Sequence, residues 1–448
     1  MTDLKKIEIA KWLLDAENQQ NLPDDLESLE KKITEEGLDK VYREIELPLV
    51  PILDSMHELG IKVDAKILEK VAKELNKEIA TLEEQIHKAA GLPFNLNSPK
   101  QLSEVLFEKL KIDTKGVPKR KTGAFSTDAE TLDKIKDRNP VVASILKYRE
   151  LYKMKSTYAE PLLELAKADK ESRIHTTFLQ TITSTGRLSS KDPNLQNIPV
   201  LSDWGKRVRE AFVAEKGHSL LSLDYSQIEL RVLASVANDE KMIEAFRQGE
   251  DIHRLTASQV FNIPLKEVTK EQRQMAKTLN FGVIYGMGAD GLARASGMSR
   301  EESAKFIAEY FADFADIKRW QEKTINKARQ TGYVETLNGR KRWLPNIMAG
   351  NRRFAAESER MATNMPIQGL AADIIKLAMI RVAEMLKKKK LEDKVKMLLT
   401  IHDELIFEVT DDLAKEAEEL IRPEMEKAYE LIVPLKVDSA IGKNWSEI

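Results

Sequence analysis

The stretch KMLLTIHDELIFEVT, residues 396–410, decides which kind of fold this chain can adopt. It contains two apolar, β-prone runs, 397–401 and 405–409, which predict two buried strands joined as a hairpin. Between the runs stand His402, Asp403 and Glu404, and neither Gly nor Pro marks an ordinary turn. Because a buried charge without a partner is costly, these side chains need a compensating group at the tip of the hairpin.

A second carboxylate follows another predicted strand. The segment LLSLDYSQIELR predicts a strand that ends at Asp224 and an amphipathic helix that begins at Ser226 or Gln227. Alone, such an Asp is more often a helix cap. Together with Asp403, it can converge on a hard cation that prefers oxygen ligands, such as Mg²⁺. Two such ions serve phosphoryl or nucleotidyl transfer, one at the attacking oxygen and one at the leaving group.

The segment RQMAKTLNFGVIYG, 273–286, supplies cations and aromatic rings. At about 100° per residue, five side chains fall within or beside an arc of about 80°: Arg273, Lys277, Phe281, Ile284 and Tyr285. Cations suit phosphate oxygens, and an aromatic ring can pack on a sugar or base. Taken alone, this helical face would be interpreted as part of an ordinary surface helix. The two carboxylates favour a nucleotide site.

Composition limits the partners of the chain. Its 448 residues are enough for two to four domains. Its 71 basic and 73 acidic residues nearly cancel, so a polyanion would have to be bound by local positive charge. Such charge occurs in the loop 109–123, which is either a solvated loop or a tip that contacts phosphates.

Several classes of protein are excluded or disfavoured. With no cysteine, the chain has no disulfide, thiolate metal site or thiol nucleophile. No apolar run approaches the roughly 20 residues of a membrane span, and the N-terminus lacks a signal-peptide pattern. We therefore expect a soluble, cytoplasmic protein with no membrane partner.

The three segments resemble the A, B and C motifs of family A DNA polymerases, DYSQIELR, R-x₃-K-x₃-F-x₃-YG and HDE. The resemblance runs from about Ile45 to the C-terminus and is close to the polymerase part of the bacterial members. It implies an α+β, right-hand polymerase fold with an antiparallel palm sheet, helical fingers and a helical thumb. Four further segments support it: TSTGRLSSKDPNLQNIP (183–199), DIHRLTASQVF (251–261), GYVETLNGRKRWLP (332–345) and ERMATNMPIQGLAADIIK (359–376).

The resemblance also implies a division of the chain. In this family a proofreading exonuclease domain usually precedes the polymerase, whereas only about 45 residues do so here. We therefore expect neither proofreading nor 5′ nuclease activity, and we interpret Asp15-x-Glu17, which has the form of an exonuclease metal motif, as an accident of a helix surface. The expected parts are an N-terminal helical segment resembling the tail of an exonuclease domain (1–45), a palm entry (46–65), the thumb (66–155), palm with motif A (156–250), fingers with motif B (251–350) and palm with motif C (351–448).

For the metal and nucleotide site, the resemblance implies specific roles. Asp224 and Asp403 would hold two Mg²⁺ ions, for which Mn²⁺ can substitute, with the Tyr225 carbonyl assisting and Glu404 nearby. Arg273, Lys277 and His253 would bind the dNTP triphosphate, and Lys277 would also protonate the departing pyrophosphate. Phe281 would pack against the nucleotide, and Phe at this position is associated with discrimination against dideoxynucleotides. Gln227 would lie in the site, Glu229 would be the steric gate against a ribose 2′-hydroxyl, and Tyr285 would stand at the template base.

The resemblance further implies contacts to primer–template DNA. Minor-groove acceptors occur on every base pair, so contacts there check shape rather than sequence. The implied positions are Arg187, Asn194, Gln196, Arg360, Asn364, Gln368 and His402 on primer–template, Lys155 on the DNA backbone, and Lys119, Arg120 and Lys121 at the thumb tip.

The sequence thus predicts a monomeric DNA-directed DNA polymerase, in which a primer 3′-hydroxyl attacks the α-phosphate of a dNTP and pyrophosphate leaves. A specialisation for RNA templates or strand displacement stays open, because these motifs do not read the template sugar. A catalytically retired DNA-binding clamp is disfavoured, because a mere binder needs no clustered carboxylates facing a polyanion.

Overall fold

The computed structural model describes residues 2–200 and 202–448, with the side chains of Val283 and Ile284 left aside. Ile284, which belongs to the predicted helical face, therefore lies outside the described side chains. Helices dominate the fold and small antiparallel sheets complete it. In the described part of the chain, no helix is both long and apolar enough to cross a membrane.

Eighteen α-helices are described. The first nine are α1 (Asp3–Leu14), α2 (Leu26–Glu35), α3 (Leu47–Leu59), α4 (Ala65–Ala90), α5 (Pro99–Ser103), α6 (Ala129–Lys134), α7 (Pro140–Lys153), α8 (Glu160–Ala168) and α9 (Asp203–Glu210). The others are α10 (Ile228–Ala237), α11 (Glu240–Arg247), α12 (Ile252–Val260), α13 (Lys270–Ile284), α14 (Ala289–Ser296), α15 (Arg300–Asp313), α16 (Ala315–Thr331), α17 (Arg352–Lys389) and α18 (Ala414–Glu426). Three π-helical segments extend or precede them: Val41–Glu46, Glu104–Lys109 and Met154–Ala159.

Ten strands are described, and every pairing with a recorded register is antiparallel. They are β1 (Ile61–Lys62), β2 (Arg173–Ile174), β3 (Thr177–Leu179), β4 (Ser189–Lys191), β5 (His218–Tyr225), β6 (Tyr333–Glu335), β7 (Lys341–Trp343), β8 (Val395–Ile401), β9 (Glu404–Thr410) and β10 (Val437–Gly442). The largest sheet has the order β10-β5-β9-β8, and three two-stranded sheets pair β1 with β2, β3 with β4, and β6 with β7.

The chain divides into two compact units. The larger unit comprises residues 2–59, 176–196 and 217–441, and the smaller unit comprises residues 60–175, 197–216 and 442–448. The predicted thumb, 66–155, falls inside the smaller unit. The finer palm and fingers boundaries stay predictions.

The four-stranded sheet is the framework of the larger unit. Strands β5 and β9 pair from His218 opposite Thr410 to Asp224 opposite Glu404. The apolar residues of both central strands are buried, as expected for strands covered on both faces. Helices α17 and α18 pack nearby, with α17 capped by the Asn351 side chain, which accepts from Arg353 N.

The N-terminal segment packs within the larger unit through specific polar contacts. Trp12 Nε1 donates to Thr183 O at 3.0 Å, and Trp343 Nε1 donates to Leu14 O at 2.8 Å. The segment ends near Glu46, which is fully buried among charged residues. Residues 2–46 are therefore an integral part of this unit's core.

The predicted class and several elements are confirmed. The protein is α+β. The amphipathic run 65–90, which predicts one long helix, forms α4. The Asn338-Gly339 pair, which predicts a hairpin, joins β6 to β7 with Gly339 at φ 88°. One strand prediction needs correction. The apolar stretch VPLKVDSAI, 433–441, predicts a last strand, but the strand begins only at Val437. The preceding backbone serves helix α10 instead, since Pro434 O accepts from Arg231 at 2.8 Å.

Candidate active site

The carboxylate at the hairpin tip is presented by a two-residue turn. Ile401 pairs with Glu404, which leaves His402 and Asp403 as the turn itself. His402 has φ 53°, in the left-handed region where glycine is normally preferred. Strained backbone of this kind clusters at functional sites. The turn therefore fixes the direction of Asp403 by a conformation that the sequence does not favour.

Strand pairing brings Asp224 to the same place. Asp224 lies opposite Glu404 in the β5–β9 register, and Tyr225 N donates to Asp403 O at 3.1 Å. The Ser222 hydroxyl donates to the Glu404 carboxylate and holds it. Residues that are about 180 positions apart in sequence thus meet at one end of the sheet.

The electrostatics of this carboxylate pair are unfavourable in the protein alone. Desolvation, followed by the negative charges of Glu229 and Asp224, raises the pKa of Asp403 to about 7, although Arg187 opposes the rise. Asp224 is exposed at the strand end, but partial desolvation by the adjoining protein, then Glu404 and Asp438, raise its pKa to about 6. A bound cation would relieve this repulsion.

The donor set suits Mg²⁺ better than a metal held by protein alone. Within the described residues, no group of three or more His, Asp or Glu side chains forms a ready metal cage. Mg²⁺ is usually held by one or two carboxylates together with substrate phosphates and water. Asp224 and Asp403 fit that pattern, because they meet at an open strand end rather than in a closed cluster.

A buried glutamate stands beside the pair. Glu229 lies in the first turn of α10, is 4% exposed, and contacts both the Arg187 guanidinium and the Tyr285 hydroxyl. Gln227, at the N-cap position of that helix, has φ 55° and a buried Oε1 with no hydrogen-bond partner within the described part of the chain. Three of the predicted residues, Arg187, Glu229 and Tyr285, therefore form one connected group.

The predicted cationic face lies on α13 as expected, but its first cation is already paired. Arg273 Nε donates to Asp251 Oδ2 at 2.5 Å, and Lys277 is one turn further along the helix. The Phe281 ring stacks on Tyr285 with 6.4 Å between centroids. Tyr285 itself follows the last helical residue rather than lying within the helix.

His253 is more enclosed than its predicted role suggests. It is 2% exposed, and its Nδ1 lies 2.9 Å from Asn280 Nδ2. Desolvation first, and the cations Arg273 and Lys277 next, lower its pKa to about 4 despite the nearby Asp251. The sequence patterns do not predict Asp251 and Asn280 as residues of the site. The available signal for Asn280 was a polar residue at a helix position flanked by Leu and Phe.

The predicted DNA-contact residues of the larger unit lie around the turn and along α17. Gln196 Nε2 donates to Thr400 O at 3.1 Å, and Asn194 Oδ1 accepts from Ser190 at 3.0 Å. A cavity of about 30 Å³ is lined by Arg187, Gln196, Lys376 and His402 among others. The remaining three lie on α17: Arg360, which packs against Gly286, Asn364, whose buried Oδ1 has no partner within the described residues, and Gln368, which is near the Tyr285 hydroxyl.

The other predicted DNA contacts belong to the smaller unit. Lys155 lies 3.6 Å from Glu160. Lys119 pairs with Phe125 in an isolated bridge, so the basic loop turns back on itself through Arg120 and Gly123. Arg120 and Lys121 are exposed. The loop is therefore a small solvated turn that presents positive charge.

The Asp-x-Glu pattern near the N-terminus has structural partners. Asp15 Oδ1 accepts from the backbone N–H groups of Glu17 and Asn18, at 3.0 and 2.9 Å. Glu17 pairs with Arg342 at 2.9 Å. Both carboxylates hold the chain together where α1 ends.

Comparison with known proteins places the chain in a family. Residues 65–447 match the model of DNA polymerase family A. The chain is 45% identical to the thermostable DNA polymerase I of Thermus thermophilus over 436 residues, which are 97% of this chain and 52% of that protein. It is also 45% identical to DNA polymerase I of Bacillus subtilis over 425 residues, covering 94% of this chain and 48% of that protein.

A solved structure extends the similarity to the fold. The POL domain of Pol1 from M. smegmatis, in complex with DNA primer-template and dNTP, matches with a TM-score of 0.92 and 36% identity, covering 98% of this chain and 82% of that one. The chain spans about half the length of the curated relatives described above. Since the family model covers most of its residues and the fold agrees throughout, the chain belongs to DNA polymerase family A.

Proposed function

We propose that the chain is a DNA-directed DNA polymerase that extends a primer on a DNA template with dNTPs. The observation that carries the proposal is the meeting of Asp224 and Asp403 at one end of the β5–β9 pair, where their pKa values are raised. Membership of the family and the likeness to a polymerase domain bound to primer-template and dNTP support it.

The carboxylates are the proposed ligands of two Mg²⁺ ions, with Mn²⁺ as a substitute. When bound, the ions activate the primer 3′-hydroxyl and neutralise charge on the leaving pyrophosphate. Asp224 and Asp403 would hold them, with the Tyr225 carbonyl and Glu404 close by. The protein's own contribution is a rigid sheet end that orients both carboxylates before substrate arrives.

The nucleotide would lie against α13. Arg273 and Lys277 offer cations to the triphosphate, and His253 offers a neutral ring nitrogen. Lys277 is the proposed proton donor to the departing pyrophosphate. Phe281 would pack on the nucleotide.

Glu229 is the proposed sugar gate. It is buried and held by two partners, Arg187 and Tyr285, so it cannot easily swing aside for a 2′-hydroxyl. Gln227 would line the same site, and Tyr285 would stand at the template base.

Primer–template would be read by shape. Arg187, Gln196 and His402 share the wall of one cavity beside the turn. Asn194 and the α17 residues Arg360, Asn364 and Gln368 complete this proposed surface, while Lys155, Lys119, Arg120 and Lys121 would contact the backbone from the smaller unit.

Primer extension tests the proposal. Matched DNA and RNA templates are offered with Mg²⁺ and all four dNTPs to the wild type, to Asp403→Asn and to Asp412→Asn, an exposed carboxylate of the turn after β9. We expect extension on DNA, its loss by at least about 10³-fold in Asp403→Asn, and no change in Asp412→Asn. Near-normal extension by Asp403→Asn would contradict the metal assignment, and equal extension on RNA would favour the RNA-template alternative.

We further propose that residues 2–448 do not excise mismatched primer ends. Asp15 and Glu17, the carboxylates that match an exonuclease motif, are committed to backbone and to Arg342. A labelled primer with a mismatched 3′ end should be extended or stalled by this chain. Release of the terminal nucleotide by the wild type, but not by Asp15→Asn, would overturn this proposal.

A further inference from the structure

A buried polar chain links α12 to α13 behind the proposed triphosphate site. Thr256, Asn280 and His253 are 0%, 1% and 2% exposed. Thr256 Oγ1 is 3.1 Å from Asn280 Oδ1, and Asn280 Nδ2 is 2.9 Å from His253 Nδ1. Because Nδ1 is engaged, a ligand would meet the other ring nitrogen, Nε2.

We propose that Asn280 is a positioning residue that holds His253 as the neutral tautomer with its proton on Nε2, so that the imidazole donates a hydrogen bond to a triphosphate oxygen. This inference rests on the proposed function of the site. It assigns a role to Asn280, whose side chain contacts Thr256 and His253.

The hydrogen count of the chain restricts the arrangement to two. The single Thr256 proton goes either to Asn280 Oδ1 or to Ile252 O, which is 2.8 Å away. In the first case Asn280 Nδ2 donates to His253 Nδ1, and Nε2 carries the ring proton. In the second case the amide is reversed, Nδ1 carries a proton, and a neutral ring presents only a lone pair at Nε2.

The surroundings favour the first arrangement. In the second arrangement, His253 could donate to a phosphate from Nε2 only if the ring were a cation. The charged groups that face His253 are Asp251, Arg273 and Lys277. Burial and the two cations outweigh Asp251 and lower the pKa of His253 to about 4. A neutral ring can donate from Nε2 only if Nδ1 carries no proton, and Nδ1 then accepts a hydrogen bond from the Asn280 amide.

The tautomer can be observed without polymerase activity. In protein labelled with ¹⁵N-histidine, the His253 signals are identified by their loss in His253→Gln, among the six histidines of the chain. We expect the ring proton on Nε2, and we expect the ring to stay neutral between pH 8 and pH 5.5. A proton on Nδ1, or a cationic ring at neutral pH, would overturn the proposal.

Kinetics of Asn280 variants give a second, independent readout. We expect Asn280→Leu to raise the KM for dNTP about tenfold with little change in kcat, the effect of one lost hydrogen bond. In Asn280→Asp the carboxylate accepts from Nδ1 and favours the cation, so the KM should fall as pH is lowered from 8 to 6, whereas the wild-type KM stays flat. Asn326→Asp, at an exposed site on α16, is the matched control.

The outcomes separate the two proposals. An unchanged KM and tautomer in Asn280→Leu would overturn the positioning role. If the Asn280 variants do not fold, the wild-type tautomer decides. The expected tautomer in a protein that extends no primer would instead contradict the proposed function while leaving the geometry intact.

Discussion

The Asp403 carboxylate is held where its own ionisation is disfavoured. The turn places it beside Glu229 and Asp224, and its pKa rises to about 7. A group whose pKa is higher in the folded than in the unfolded state binds more protons when folded, so it lowers stability as pH rises. Function and stability therefore make opposite demands at this residue.

Replacing Asp403 by Asn should stabilise the metal-free protein. The gain should be small at pH 4, where Asp403 is protonated in the folded state and about half ionised in the unfolded state. It should grow up to pH 7 and reach about 1–2 kcal/mol once solvent screening is allowed for. Thermal melts in EDTA at pH 4, 6 and 8 measure it. A gain that is equal at all three pH values, or a loss at pH 8, would contradict the electrostatic explanation.

Removing the Glu229 side chain should relax sugar selectivity. Glu229→Ala opens the space that Arg187 and Tyr285 now enclose, so incorporation of ribonucleotides should rise by ten- to a hundredfold relative to dNTPs, about 1.4–2.8 kcal/mol. Competition between rNTP and dNTP in primer extension measures it. Glu244→Ala, on the surface of α11, is the control, and unchanged selectivity in Glu229→Ala would remove Glu229 from the gate.

At the level of residues, the sequence predicts which side chains carry charge but not which side chains are their partners. The spacing of Arg273, Lys277 and Phe281 follows from helical periodicity, and the helix exists as expected. The partners Asp251 and Asn280 depend on how α12 packs against α13, which periodicity does not encode. Side-chain partners become visible only once helices are paired in space.

At the level of elements, the β8–β9 hairpin shows local preference being overridden. Its two apolar runs predict the strands, but its turn places His402 at φ 53°. The paired strands β8 and β9, which flank the turn, keep it in this conformation, which costs of order 1–3 kcal/mol. The late start of β10 has a related cause, because Pro434 and Lys436 give their carbonyls to Arg231 and Ser226.

Substitutions at His402 should reveal the strain. A β-branched residue is least tolerant of positive φ, so His402→Val should lower stability by about 1–2 kcal/mol, whereas His402→Gly should not lower it. Both should weaken binding of primer–template. The control is Lys390→Gly, since Lys390 caps α17 at φ 57° far along the helix and should gain stability without loss of activity. Denaturation midpoints that are the same for Val and Gly at position 402 would rule out backbone strain.

At the level of the whole chain, a buried ionic cluster ties the N-terminal segment to the core of the larger unit. Lys376 Nζ lies 2.7 Å from Glu46, Gln180 donates to the same carboxylate at 2.8 Å, and Arg340 contacts both Glu46 and Asp373. Burial alone would raise the pKa of Glu46, but Lys376 and Arg340 outweigh it and hold that pKa below its ordinary value. The C-terminal end of this segment is thus held in the core by charged hydrogen bonds to Glu46.

Breaking the cluster should be costly. Glu46→Gln leaves two buried cations undercompensated, and we expect a loss of about 3–5 kcal/mol. Because the folded-state pKa of Glu46 is lowered, the wild-type advantage should be full above about pH 5 and should shrink as the pH falls through that pKa. Urea melts of Glu46→Gln and of Glu44→Gln, an exposed neighbour, measure it. Equal midpoints would mean that the cluster is energetically neutral.

The register of β5 against β9 has a kinetic consequence. Asp224 and Asp403 meet only after a segment of about 180 residues, α10 to β8, has been closed into a loop by strand pairing. Closing so long a loop carries a large entropy cost, and non-local strand pairs form late. During refolding, recovery of catalysis should therefore lag behind the recovery of helical signal. The length of the lag would report when β5 pairs with β9.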